Sequence, residues 1–261
     1  MTDPGPDDMM NAQGGLPPLI AHRGNALEFP ENTLEALRSA VDLGLRYVEF
    51  DVQLTADHVA VVCHDADLQR MAGRPDCVHD LAWPELADIP AGEVARFGGK
   101  FPDVRIPSLA RVAAALAAWP TVTAFVEIKR ASLRRFGQDT VLERVVADVA
   151  AARDRCVFIS FDLASVVRLR AMTGARIGWV IERFDADTEQ LAREQAPDFL
   201  FGDVERIPAG TQHLWRGPWA WALYEVRDLD TARACAGLGA DLVETMAVRG
   251  MAEGYARATS A

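Results

Sequence analysis

Four short signatures carry residue types capable of chemistry: His22-Arg23, Glu49-Phe50-Asp51, His64-Asp65 and Glu127-Ile128-Lys129. Glu49 and Asp51 stand two residues apart, as do Glu127 and Lys129, and at that spacing side chains leave the same face of a strand. Three carboxylates converging from neighbouring strands repel one another in a pocket of low dielectric constant. A divalent cation relieves this repulsion, and an all-oxygen donor set favours Mg²⁺, Ca²⁺ or Mn²⁺ over zinc. Two histidines beside such a cation titrate near neutrality and serve as general acid and base. An arginine clamps phosphate oxygens in pairs, and a lysine adds a compact point charge. With a metal polarising a non-bridging oxygen, the set suits in-line attack on a phosphodiester.

The elements that must position these residues alternate along the chain. Short β-branched or aromatic runs predict strands at 19–22, 47–53, 59–64, 123–128, 157–161, 177–181, 199–201, 219–224 and 242–244. Several are continuously apolar, as in strands buried on both faces. Helical patterns fall between them at 33–43, 108–118, 138–152, 163–173, 187–195, 205–214, 228–238 and 247–258. The first has Leu34, Leu37, Ala40 and Val41 on one face, a cap at Asn32 or Thr33 and a terminator at Gly44. The run at 59–64 pairs with its predecessor as a hairpin, which leaves eight βα units and so predicts an α/β chain folded as a TIM (β/α)8 barrel. A doubly wound sheet would carry a glycine-rich turn after its first strand, where this chain has His22-Arg23-Gly24. Residues 66–107, with five prolines and Gly98-Gly99, read as an insertion in the second βα loop. Residues 1–18 read as a disordered tail, and 19–261 as a single barrel domain. Active sites of such barrels lie at the carboxyl ends of the strands, which is where the four signatures fall.

Composition limits the partners. The 261 residues carry 27 Lys+Arg against 38 Asp+Glu, a net charge of -11. That balance argues against nucleic acid and against anionic lipid, while leaving room for a small anion in a pocket of opposite sign. Only two of the cations are lysines, Lys100 and Lys129, in a chain that otherwise uses arginine. Cys63, Cys77, Cys156 and Cys235 are scattered without a metal-binding spacing, and three of them, Cys63, Cys156 and Cys235, sit among apolar neighbours and read as small buried thiols in a reducing compartment. No apolar run is long enough to span a bilayer, and the acidic start lacks the pattern of a signal peptide. The expectation is a cytoplasmic protein without stable membrane insertion, monomeric or homodimeric.

Residues 20–70 strongly resemble the glycerophosphodiester phosphodiesterase family. The family's signatures stand in order as His22-Arg23-Gly24, Pro30-Glu31-Asn32-Thr33, Glu49-Phe50-Asp51 and His64-Asp65. Further on, the segment 106–112, Glu127-Ile128-Lys129 and the strand end at 159–162 are similar to family segments, and the likeness runs over about 19–245. The resemblance implies a metal-dependent hydrolase that splits glycerophosphodiesters, such as glycerophosphocholine or glycerophosphoethanolamine, into sn-glycerol 3-phosphate and an alcohol. By matched positions it implies His22 and His64 as the acid/base pair, Glu49, Asp51 and Glu127 as holders of one divalent cation, and Arg23 and Lys129 as phosphate contacts. The seventh and eighth barrel strands depart from the family's pattern, at Trp221-Ala222-Leu223-Tyr224 and at Thr245-Met246-Ala247-Val248.

Other residues receive plainer expectations. Trp221, near the open end of its strand, is a candidate pocket wall for the substrate. Glu31 reads as an N-terminal helix charge, Asp65 as a support for His64, and His58, His79 and His213 as surface or loop residues. A phospholipase D-like activity on lysophospholipids is an alternative that requires an apolar rim, for which Leu68, Met71, Leu81 and Trp83 are the candidates. A non-catalytic phosphate-binding barrel is a third reading, which a pair of histidines argues against because a binder needs neither acid nor base.

Overall fold

The computed structural model describes residues 15–259. Eight parallel strands close into a barrel: β1 (Leu19–Ala21), β2 (Tyr47–Leu54), β4 (Thr123–Ile128), β5 (Cys156–Ser160), β6 (Ile177–Val180), β7 (Phe199–Asp203), β8 (Ala220–Tyr224) and β9 (Leu242–Thr245). Each pairs with the next, and β1 closes the ring by pairing with both β2 and β9. The short β3 (Ala60–Val62) lies antiparallel on the end of β2, the hairpin that the sequence predicts. The fold is the expected TIM barrel.

Strict alternation separates two apolar layers. Ile20, Tyr47, Phe125, Val157, Ile159, Val180, Phe199, Phe201, Ala222 and Leu242 face inward and form one cluster. Phe125 meets Phe199 and Phe201 edge-on, with ring centroids 5.2 and 5.1 Å apart. Gly178 makes room for this floor, since a Cβ there would lie 2.9 Å from Ile159 and 3.2 Å from Phe199. Outward-facing residues such as Val48, Phe50, Val126, Leu200 and Leu223 join the helices in a second, larger core.

The surrounding helices are α1 (Leu34–Asp42), α5 (Leu109–Ala117), α7 (Gln138–Asp148), α8 (Leu163–Thr173), α9 (Ala186–Gln195), α10 (Leu229–Leu238) and α11 (Val248–Thr259). Thr33, Ser108, Asp162, Asp185 and Asp228 cap five of them by accepting a backbone N–H three residues on. Two differences from the sequence expectation matter. The helix expected at 205–214 is only a 3-10 turn, Val204–Arg206, because Pro208 and Gly210 interrupt it; farther along that connection Trp215 stacks on Phe184 at 4.2 Å. Conversely, Arg130–Phe136 forms a helix, α6, which three arginines among seven residues concealed from an apolar-periodicity reading.

Between β3 and α5 the chain makes three short helices, α2 (Gln69–Ala72), α3 (Trp83–Ala87) and α4 (Val94–Phe97). Their apolar residues, including Leu68, Met71, Val78, Leu86 and Ile106, form a small separate core. Leu68 and Met71 are therefore packing residues, and the expectation that they form an apolar rim is corrected. Of the residues expected to form a disordered tail, 1–14 lie outside the described residues. Residues 15–18 are tied down instead: Leu16 is buried, and the carbonyls of Pro17 and Pro18 accept from the Tyr255 hydroxyl and the Val243 amide. No helix among the described residues is long and apolar enough to cross a membrane.

Candidate active site

The alternation that turns Ile20, Tyr47 and Phe125 into the floor also turns His22, Glu49, Asp51, Glu127 and Lys129 inward above it. Ligand atoms of Glu49, Asp51 and Glu127 lie within 4.8 Å of one another. The geometry thus brings together three residues from adjacent strands that the 49/51/127 spacing predicted to converge.

Asp51 is the best supported of the three. Asn32 grips it twice: its Nδ2 donates to Oδ2 at 2.8 Å and its Oδ1 accepts the Asp51 amide at 3.0 Å. Arg23 Nε lies 3.3 Å from Oδ2, and Lys129 Nζ lies 3.1 Å from Oδ1 and 2.8 Å from Glu127 Oε1. Burial alone would raise the Asp51 pKa, but Lys129 and Arg23 outweigh it and hold the carboxyl far below its ordinary value. Glu49 is the opposite case. Its Oε2 accepts the Arg23 amide at 3.0 Å, while its buried Oε1 has no hydrogen-bond partner. Burial, followed by the charge of Asp51, pushes Glu49 well above the ordinary carboxylate range, and the same two causes raise Glu127. Carboxylates so frustrated fit a cation held by Glu49, Asp51 and Glu127, which would satisfy the orphaned oxygen and reverse the repulsion.

Two residues bend the chain unusually to make this site. Arg23 and Asn32 have φ of 56° and 58°, in the left-handed region that non-glycine residues rarely enter. At Arg23 this turn aims the backbone N–H at Glu49 and the guanidinium at Asp51 and at Glu31, whose Oε1 is 2.9 Å from Nη1. Gly24 follows with φ of 78°, and a Cβ there would sit 2.6 Å from the Ala36 carbonyl carbon and 2.7 Å from the Leu37 nitrogen. Gly24→Ala is therefore expected to destabilise the fold by about 1–3 kcal/mol, because backbone and not a flexible side chain must give way. Chemical denaturation of the variant checks this.

The two histidines occupy different surroundings. His22 is buried, with Nε2 4.0 Å from Glu49 Oε2. Burial, then the neighbouring Arg23 charge, lowers its pKa to about 3, so the ring is neutral at physiological pH. His64 is half-buried and its Nδ1 lies 2.7 Å from Asp65 Oδ1, the support that the sequence suggested. Arg70 links this pair to the rest: it contacts Asp65 Oδ2 at 2.8 Å and Glu31 Oε2 at 2.7 Å. Glu31 is thus a buried bridge between Arg23 and Arg70, and not merely a charge at the start of α1.

His79, expected at the surface, is buried, and this too is a correction. Its Nε2 is 3.0 Å from Gln53 Oε1 and 3.2 Å from Ser132 of α6. Gln53 Oε1 also accepts from the Ser132 hydroxyl at 2.7 Å while its Nε2 donates to the His64 carbonyl at 3.0 Å, so His79 and Ser132 help fix the segment that presents His64. Trp221 is corrected as well. It points outward into the helix-facing core, 2% exposed, with its indole N–H donating to the Trp215 carbonyl at 2.8 Å. Its neighbours Ala222 and Tyr224 take the inward positions. His58 and His213 are exposed, as expected.

One carboxylate at the strand ends escaped the sequence reading. Glu244, two residues after the inward Leu242, is 3% exposed, and its Oε1 has no hydrogen-bond partner among the described residues. Burial, then the charge of Glu127, holds its pKa well above the ordinary range. Its position in the alternation was the available signal.

Residues 22–213 match the model of the glycerophosphoryl diester phosphodiesterase family. Among curated proteins, the chain is 42% identical over 94 residues to a glycerophosphodiester phosphodiesterase of Caldanaerobacter subterraneus subsp. tengcongensis, covering 36% of this chain and 38% of that protein. It is 38% identical over 116 residues to a lysophospholipase D of Mus musculus, covering 42% of this chain and 35% of that protein. The matched stretches thus span less than two fifths of these relatives' own lengths. Among solved structures, an Oleispira antarctica phosphodiesterase in complex with the product sn-glycerol-3-phosphate superposes with a TM-score of 0.79 at 21% identity, covering 94% of this chain and 98% of that one. A Thermotoga maritima glycerophosphodiester phosphodiesterase gives 0.67 at 24% identity, covering 90% and 96%.

Proposed function

Because the chain belongs to the glycerophosphoryl diester phosphodiesterase family, we propose that it hydrolyses glycerophosphodiesters, such as glycerophosphocholine or glycerophosphoethanolamine, to sn-glycerol 3-phosphate and an alcohol. The observation that carries this reading is the trio Glu49, Asp51 and Glu127, with an orphaned oxygen, between two histidines and two buried cations. Glu49, Asp51 and Glu127 would hold one divalent ion, Mg²⁺ or Ca²⁺. When bound, it would polarise a non-bridging phosphate oxygen and offset the charge that develops there.

The chain's own groups divide the remaining work. Arg23 and Lys129, fixed by their contacts to Asp51, present positive charge where the phosphate enters. His22 sits in a buried, positively charged neighbourhood that keeps its ring neutral, the form able to accept a proton from the attacking water. Asp65 holds the His64 ring through Nδ1, and the other ring nitrogen, Nε2, delivers a proton to the departing alcohol oxygen. Arg70 and Glu31 keep Asp65 and Arg23 in register with each other. Incubation of glycerophosphocholine with the protein tests the reading by product. Choline and glycerol 3-phosphate are expected, with release abolished by EDTA; phosphocholine and glycerol, or release indifferent to EDTA, would contradict it.

A second reading, hydrolysis of lysophospholipids, is favoured by one feature. Leu27 and Val94 are 55% and 69% exposed, in the two segments that carry Phe29 and Phe97, whose rings both pack against Phe101. This patch belongs to the loop before α1 and to α4, which Glu93 ties to the site by accepting the Glu31 amide at 2.7 Å. If an acyl chain rests there, the double variant Leu27→Asp/Val94→Asp loses about tenfold or more in kcat/KM on lysophosphatidylcholine, from some 50 Å² or more of lost apolar contact, and keeps its rate on glycerophosphocholine. Equal effects on the two substrates would exclude this reading.

A further inference from the structure

Glu244 is built into the barrel wall in β9, one strand removed from β2 across β1. In β9 its Cα pairs with Ile20 of β1, two residues before His22. On its other side, Leu242 pairs with Ala222 of β8, and both lie in the apolar floor. Two residues farther along each strand, Glu244 and Tyr224 therefore stand side by side in the layer above the floor. Glu244 is outside the trio whose ligand atoms lie within 4.8 Å of one another. Arg23, the cation that favours its charged form, is committed to Glu31 and Asp51. What remains is a buried carboxylate, facing the site, with an oxygen that nothing in the described chain satisfies.

Charge sharpens the point. Arg70 offsets Glu31, and Asp65 is engaged by His64 and Arg70. When ionised, Glu49, Asp51, Glu127 and Glu244 carry four negative charges against Arg23 and Lys129, and one divalent cation would bring that inner group to neutrality. A phosphodiester would add a negative charge without a partner, which is costly in a buried site. A substrate that brings its own positive charge removes the cost, and a carboxylate beside an aromatic ring is a good receptor for an ammonium group.

We propose that Glu244, flanked by Tyr224, receives the ammonium group of an amino-alcohol on the diester, and so makes the enzyme selective for zwitterionic glycerophosphodiesters. This rests on the reading of the site as a glycerophosphodiester hydrolase and assigns the residue that selects among such diesters.

The test compares glycerophosphoethanolamine with glycerophosphoglycerol, in which an uncharged alcohol replaces ethanolamine. The wild type is expected to prefer the amine ester in kcat/KM by about tenfold or more, the scale of a buried charge contact. Glu244→Gln should abolish that preference mainly by raising KM for the amine ester, while kcat/KM for the diglycerol ester does not fall. Glu244→Leu, which matches the apolar surroundings of β9, should do the same and guards against a folding defect in either variant. Calorimetric titration with Mg²⁺ or Ca²⁺ should give the wild-type affinity for both variants. An unchanged preference, an equal loss on both substrates, or weakened cation binding would overturn the assignment. If the wild type cleaves neither diester, the hydrolase reading falls with it; if it cleaves both alike, only the role of Glu244 falls.

Discussion

His64→Ala is expected to lower kcat on glycerophosphocholine by about 10²–10⁴-fold, the usual contribution of a positioned general acid. The substrate dependence of that loss is the more telling result. An alkyl alcohol leaves poorly without a proton, whereas p-nitrophenolate leaves readily as an anion. A glycerophosphodiester of p-nitrophenol should therefore lose far less activity in His64→Ala than the choline ester does. His22→Ala should lose a similar factor on both, because abstraction of a proton from the nucleophile does not depend on the leaving group. Asp65→Asn should fall between wild type and His64→Ala, since it keeps the ring but removes the carboxylate 2.7 Å from Nδ1. Steady-state kinetics on the two esters checks all three. Equal losses on both esters in His64→Ala would reassign the acid.

The second large effect concerns Asp51. Asp51→Asn should reduce kcat/KM on the order of 10³-fold, because a cation that supplies several kcal/mol of transition-state stabilisation loses its best-ordered anchor. Excess divalent ion should restore part of the rate if the defect is one of affinity. Stability should fall too. Asp51 is the contact shared by Arg23 and Lys129, and breaking a buried ion pair costs about 3–5 kcal/mol when its partners stay charged. Here the loss should lie at or below that range, since Arg23 retains Glu31 and Lys129 retains Glu127. Glu49→Gln offers the contrast. Its Oε1 is already unsatisfied and its charge is opposed by Asp51 and Glu244, so the variant should lose activity while matching or exceeding wild-type stability in the absence of metal. Thermal denaturation with and without divalent ion separates the two roles.

Much of the barrel is legible in sequence because its strands are short apolar runs with a period of two and its helices announce themselves by caps such as Thr33 and Ser108. The same period explains why Glu49, Asp51, Glu127 and Lys129 converge. What escaped is of two kinds. Long-range pairs leave no local pattern: Arg70 to Glu31 spans 39 residues, and Ser132 to His79 spans 53. Burial of His79 follows from those partners and from the edge-on packing of Phe136, none of which is encoded nearby. The other misses were matters of phase. Closeness to a strand end suggests Trp221 as a pocket wall, whereas the inward register of β8 belongs to Ala222 and Tyr224. Counting the same phase along β9 from Leu242 leads to Glu244. The connection at 207–219 lacks a helix because proline and glycine interrupt it, which outweighs its apolar residues.

The roles of Glu49, Asp51 and Glu127 depend most directly on where the cation binds. Crystals grown with Mn²⁺ and measured at its absorption edge should show one strong anomalous peak bounded by carboxylate oxygens of Glu49, Asp51 and Glu127, within reach of a phosphate held by Arg23 and Lys129. A peak elsewhere on the chain, or no peak in crystals of an enzyme whose turnover requires the ion, would contradict it.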